Sequence, residues 1–309
     1  MKKLSVALLA LTTSMLFAAP VDVDTISKDA KWVAHVDMEG LSSIEGFKIM
    51  TDYISSDVIM NMIPNQAKEK IDQKLAKIND IHSFTLYGNT LKKGRGVFIY
   101  KGKVDAEEIQ KKIEEHKPKK STLDNGASVL SWMNKRGKGL YTSQTDDQTI
   151  VFSADLNDLT SAINVLSGSK ANLGDNETKL SSQIKILKDS LVFFTTEELP
   201  KVGFGSRILK SATGITYTMN AEGNGVSNKT IIKFKNESDA QLILNMVEGF
   251  KAYGLVMAER FPAAKILLEK HKLGLEGNNL TSELSFNYDE LKDWLNIATE
   301  NLKTLKFFK

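Results

Sequence analysis

The chain has no cysteine, and only five prolines, three tryptophans and four histidines in 309 residues. The lack of cysteine excludes disulfides, thiol nucleophiles, thiolate metal ligands and a lipid anchor on cysteine. A chain of this length can bury a core large enough to do without disulfides. The histidines, His35, His82, His116 and His271, do not form a ligand set. There is no H-E-x-x-H helix, and His35 with Asp37 supplies two groups on one strand face where a zinc site needs three or four. His82 shares a strand face with Phe84 and Leu86, which places it at the edge of a core.

Catalytic signatures are missing as well. "GFGSR" (203–207) lacks the last glycine of a nucleophile elbow. "GNGVSN" (223–228) lacks the third glycine of a dinucleotide loop and leads into a strand. "DLNDLTSAINVL" (155–166) begins like a calcium loop but has neither the sixth-position glycine nor the terminal glutamate, and reads instead as a helix capped by Asp155. Acidic pairs such as Asp146-Asp147, Glu114-Glu115 and Glu197-Glu198 are neighbours in sequence and point apart. The expectation is therefore no cofactor, no metal and no catalytic residue. An enzyme built on this chain would need a dispersed site without a motif.

Long apolar runs are confined to the start. "MKKLSVALLALTTSMLFAAP" places Lys2 and Lys3 before an uncharged stretch from Leu4 to Phe17 and then small residues, the layout of a secretory signal peptide. Its core is shorter than the roughly 20 residues a permanent span needs. Cleavage is expected after Ala18, since a cut after Ala19 would leave Pro20 next to it. Removing Lys2 and Lys3 leaves 39 basic against 38 acidic residues, so a nucleic-acid partner is not expected. Farther on, "AQLILNMVEGFKAYGLVMAERF" is broken by Glu248, Lys251, Glu259 and Arg260 and reads as a long amphipathic helix, not a transmembrane anchor.

What remains is a series of strand-like and helix-like runs that recurs. "VFIYKGKVDAEEIQKKI" (97–113) has a counterpart in "IIKFKNESDAQLILNMV" (231–247), with Asp105-Ala106 matching Asp239-Ala240 at an offset of 134. Upstream, 81–89 matches 213–221; downstream, 150–166 matches 284–298; at the front, 28–41 matches 188–199 at an offset near 160. A longer helical insert in the first copy accounts for the change of offset. Short turns between alternating strands make the sheets antiparallel. The expected fold is α+β: two tandem related modules, each an antiparallel sheet with helices on one face. The expected division is a signal peptide over 1–18, a first module over 19–167, a polar linker over 168–187 and a second module over 188–309.

With its signal layout and "WVAHVDMEGL" start, the chain resembles a loose group of exported bacterial proteins of uncharacterised function that pair such an opening with later strand-helix units. That resemblance implies the fold and export, and no functional residues.

One constellation carries a site hypothesis. Residues 91–140 hold 13 basic and 6 acidic residues, whereas 141–200 hold 4 and 9. The basic ones sit in three turns: Lys92, Lys93 and Arg95; Lys117, Lys119 and Lys120; Lys135, Arg136 and Lys138. If the strands alternate as expected, all three turns meet at one end of a sheet and contact anions there; otherwise they only solubilise the module. Three function classes stay open. The first is an exported, extracytoplasmic (periplasmic or secreted) non-catalytic binding or structural protein of the cell envelope, with a protein, an envelope polymer or a second copy of itself as partner. The second is a peripheral protein on an anionic or membrane surface, and the third an enzyme of unrecognised type.

Overall fold

The structure, a computed structural model, describes residues 19–55, 78–91, 95–103, 117–133, 139–175, 177–197 and 211–306, with the single residues 105, 111, 115 and 199. In chain order these form β1 (Trp32–Asp37), α1 (Met38–Ser43), α2 (Glu45–Ile54), β2 (Ile81–Gly88), β3 (Val97–Gly102), β4 (Lys119–Thr122), β5 (Ser128–Met133), β6 (Gly139–Gln144) and β7 (Thr149–Ser153). Then follow α3 (Leu156–Leu166), α4 (Lys179–Leu187), β8 (Val192–Thr196), β9 (Ala212–Glu222), β10 (Gly225–Phe234), α5 (Glu237–Met257), α6 (Pro262–Lys270), β11 (Lys272–Glu276), β12 (Asn279–Asn287) and α7 (Tyr288–Lys306). The fold is thus mixed helix and antiparallel sheet. Strand positions agree with the alternation in the sequence. The helical stretch after β1 is broken at Ile44, whose extended backbone (φ −89°, ψ 142°) separates α1 from α2.

The chain divides into two compact units, Met1–Glu39 with Asn79–Gly203, and Gly40–Ile78 with Phe204–Lys309. This differs from the expected split near 167–188 in two respects. Strand β8, expected to open the second module, pairs antiparallel with β1, Val36 facing Val192 and Trp32 facing Thr196. Helix α2, expected in the first module, belongs to the second unit. There Lys292 Nζ lies 2.9 Å from Glu45 Oε1, and Ile49 and Tyr53 pack on the cluster of Phe286, Leu291 and Leu295. The expected linker is also structured. Thr178 and Ser181 form a reciprocal capping box that starts α4, and Leu173, Leu180 and Ile184 are buried. The serines and lysines between them hid an i, i+4 apolar pair.

In the first unit the strands run β8-β1-β2-β3-β7-β6-β5-β4, every neighbouring pair antiparallel. One face is sealed by α3 and α4 through Leu159, Ala162, Ile163, Leu180 and Ile184, and by Val21 and Ile26 from the N-terminal segment. The sheet side of that core holds Val33, Tyr87, Val97, Ile99, Val151 and Phe193. Asp155 begins α3 by accepting from the backbone N–H groups of Asn157 and Asp158, a cap that contributes about 1 kcal/mol. The opposite face carries a half-buried aromatic row: Phe84 lies 5.3 Å from Phe98, and Phe98 lies 5.7 Å from Phe152.

In the second unit the order is β9-β10-β12-β11. Helix α7 packs on α2 and α6, and Trp294 Nε1 donates to the Ala263 carbonyl at 2.9 Å.

Candidate functional site

Of the nine basic residues singled out in the sequence, Lys92, Lys93, Lys135, Arg136 and Lys138 lie outside the described residues. The register does carry the others to one end of the first unit's sheet: Val97 faces Ser153, Ser153 faces Tyr141, Tyr141 faces Ser131, and Ser131 faces Lys119. Arg95, however, is engaged internally. Its Nε and Nη2 donate to the two carboxylate oxygens of Asp158 at 2.9 and 2.8 Å, and its Nη1 lies 3.2 Å from Asp155. The arginine thereby clamps the start of β3 to the first turn of α3. Lys119 sits four strands away from Val97, about 19 Å at the usual strand spacing, well beyond the roughly 8 Å over which exposed charges act at physiological salt. Arg95 and the Lys117, Lys119, Lys120 group therefore do not add their fields. All of β4 is exposed, and lysines on such an edge also discourage pairing with a foreign strand.

His35 and Asp37 share a face of β1, and that face is the core: they are 1% and 4% exposed. His35 Nε2 donates to the Ala19 carbonyl at 3.0 Å, so its Nδ1 accepts from the Thr85 hydroxyl at 2.9 Å. Burial, against an opposing contribution from the Ala19 contact and Asp37, holds the imidazole below its ordinary range and neutral. The sign of the pH effect follows. Above about pH 6.5 folded and unfolded His35 are both neutral and its contribution to stability is full. As pH falls below that, the unfolded chain takes up a proton that the folded chain resists, and stability is lost toward the folded pKa. The unfolding free energy is expected to fall as pH drops below about 6.5, with a slope of up to about 1.4 kcal/mol per pH unit. A His35→Gln variant, less stable at pH 7, should lose that slope; an unchanged slope would assign it to other groups.

His82 is half-buried on its strand, with Nε2 3.6 Å from Glu39. His116 lies outside the described residues, and His271 Nε2 hydrogen-bonds Ser282 in the second unit. No group of three or more metal-binding side chains occurs among the described residues. Near Arg95, a small pocket is lined by Ser27, Asp29, Tyr87, Asp158, Ser161 and Lys170. Lys170 already serves Ser161 (2.8 Å) and Asp29 (3.2 Å). The pocket is therefore charge-balanced and small, and suited to ordered water.

The surface that sets this protein apart is on α5. Asn236 caps the helix by accepting from Asp239 N–H. Ala240, Ile243 and Leu244 bury its first turns against the second unit's sheet. Beyond them the helix continues for about three more turns, packed by α6 near Gly254 and exposed along one side. Leu242, Phe250, Tyr253, Val256 and Met257 are 58–68% exposed, and Phe261 follows at 43%. At 100° per residue they gather on one stripe that borders the buried one, Phe250 lying one heptad beyond Ile243, and that borders a polar stripe of Gln241, Asn245, Glu248 and Glu259 on its other side. The amphipathic reading of the sequence is thus incomplete: the apolar face of the helix is wider than the part that is buried. The signal was an excess of apolar residues between 242 and 257 over what one buried stripe can hold. Lys251 is the basic residue within the helix and turns to the core side, where its Nζ donates to the His271 carbonyl.

No helix among the described residues is long and apolar enough to cross a membrane. No protein-family model matches the chain. No curated protein matches it either. Solved structures similar to it include three crystal forms of TP0453. Form III has a TM-score of 0.48 at 10% identity, over 90% of this chain and 98% of that one. Form IV has 0.45 at 8%, over 93% and 98%. Form I has 0.45 at 8%, over 90% and 98%. At these values the likeness carries no argument about function.

Proposed function

We propose that this is an exported, non-catalytic binding protein of the cell envelope whose contact surface is the exposed apolar stripe of α5, and that its partner is a protein. The observation that carries this reading is the stripe itself: five large apolar side chains more than half exposed on one helix, continued by Phe261. Exposed apolar clusters of this kind mark interaction sites. Aromatic side chains such as Phe250 and Tyr253 are the residue types that anchor interfaces. The flank of the stripe selects the kind of partner. Residues 237–261 include Glu237, Asp239, Glu248 and Glu259 against Lys251 and Arg260, so an anionic bilayer is repelled and an apolar protein patch rimmed by basic residues is favoured. Export is supported by the leader layout of residues 1–18.

Two related modules remain the best account of the chain's organisation. In the first half the ladder β2-β3-β7 is followed by α3, with β6 beside β7; in the second, β9-β10-β12 is followed by α7, with β11 beside β12. The shared order of these elements supports descent from one plan, with β4 and β5 in the first half and α5 and α6 in the second differing, and with β8 and α2 placed in the unit opposite to their half of the chain.

A photo-crosslinking side chain at Tyr253, introduced in the producing cell, tests the function. It should trap a protein adduct outside the cytoplasm. The adduct should weaken with salt and disappear when Phe250, Val256 and Met257 are changed together to serine. Adducts with lipid alone, or equal trapping from Asn245 on the polar stripe, would overturn the reading. Sedimentation with anionic vesicles that depends on Lys117, Lys119 and Lys120 would favour the anionic-surface alternative.

A further inference from the structure

Asp37 and His35 hold a single residue between them. Ala19 N–H donates to Asp37 Oδ1 at 3.1 Å, and the Ala19 carbonyl accepts from His35 Nε2 at 3.0 Å. Both side chains are almost fully buried. The ground on which they stand is rigid: Asp37 N–H bonds the Leu191 carbonyl at 2.8 Å, and His35 is fixed from its other side by Thr85. The segment that follows residue 19 is pinned as well. Val21 is in the core, and Asp22 caps a short 3-10 turn and lies 3.3 Å from Lys101 Nζ.

We propose that Asp37 and His35 are the socket for the mature N-terminus, with the α-ammonium of Ala19 as the ligand of Asp37. This rests on the export reading, because residue 19 follows the position at which the leader is expected to be cut. Hydrolysis of the Ala18–Ala19 amide by a leader peptidase adds one water. The hydroxyl goes to the Ala18 carbonyl carbon, and the new carboxyl group ionises at neutral pH. The Ala19 nitrogen leaves as an amine and is protonated. One weak amide donor to Asp37 is thereby replaced by a charged group with three donors, and a charge-assisted bond is about twice as strong as a neutral one. His35 keeps its bond to the Ala19 carbonyl and sets the direction of the ammonium. Processing then does more than release the protein from its leader: it completes an ion pair inside the first unit, tightening β1 only once the leader is gone.

The test compares three forms of the exported chain. Intact mass first establishes where it starts. A chain that starts at Ala19 is then compared with one extended by Gly-Ser before Ala19, and with Asp37→Asn. The extended chain and the Asp37→Asn chain should each melt about 5–10 °C lower. The two changes combined should cost little more than either alone, because they remove the same interaction. If Asp37→Asn does not fold, the extension decides, since it leaves every side chain in place. An exported chain that starts at Ala19 but melts at the same temperature with and without the extension overturns the socket and leaves the export reading standing. An exported chain that starts elsewhere overturns the cleavage position and the socket with it.

Discussion

Replacing Phe193 by alanine is expected to destabilise the protein by about 3–5 kcal/mol, whereas the same change at the next residue, Phe194, should cost well under half as much. Phe193 is fully buried, and its ring centroid lies 5.8 Å from that of His35, the residue it faces across β1 and β8. The cavity it would leave is bounded by the backbone of two paired strands and by helices already in contact with the sheet, so collapse is limited. Phe194 points to the other face, where it meets Trp32 at 6.4 Å and is only partly buried. Urea unfolding of the two variants checks this. A larger loss at Phe194 would mean that the aromatic face of the sheet, and not the face under α3 and α4, is the true core.

Gly225→Ala should cost about 3 kcal/mol, at the upper end of what overpacking usually does. A Cβ on Gly225 would stand 2.2 Å from the Phe286 carbonyl oxygen and 2.8 Å from the Asn287 Cα. Both are backbone atoms of the paired strand, where Gly225 faces Asn287. No side-chain rotation relieves such a contact; β10 and β12 must separate at that end. Phe286 is part of the cluster on which α2 and α7 pack, so the damage should reach the helices. Loss of amide protection in β12 near Phe286, with β9 less affected, is the expected hydrogen-exchange pattern. A variant as stable as the wild type would show that this end of the ladder is already open.

Period-two alternation made most strands legible, and the capping residue Asp155 marked a helix start. Alternation did not tell which face would be inside. On β2 the apolar pair Phe84 and Leu86 stays half-buried while Ser83, Thr85 and Tyr87 are buried. The choice was made by neighbours far off in sequence, since Thr85 is needed by His35 and the helices cover that side. The same gap explains the candidate site. The basic residues were visible as composition, but the four strands that separate Arg95 from Lys119 were not. The apolar residues of α5 were visible as a helix, but whether a second apolar stripe is covered depends on what the fold brings to it.

The sequence by itself determined most strands and their order, the absence of thiol chemistry, and the leader-like first eighteen residues. Each depends on residue identity or on patterns a few residues long, which local sterics and hydrogen bonding read directly. Only the tertiary structure decided that β8 joins β1, that α2 joins α7, that His35 and Asp37 close on Ala19, and that one side of the far half of α5 stays exposed. Those outcomes depend on pairing between segments 16 to about 250 residues apart. Many partners satisfy the same local pattern, and the one adopted is set by the sum of burial over the whole molecule.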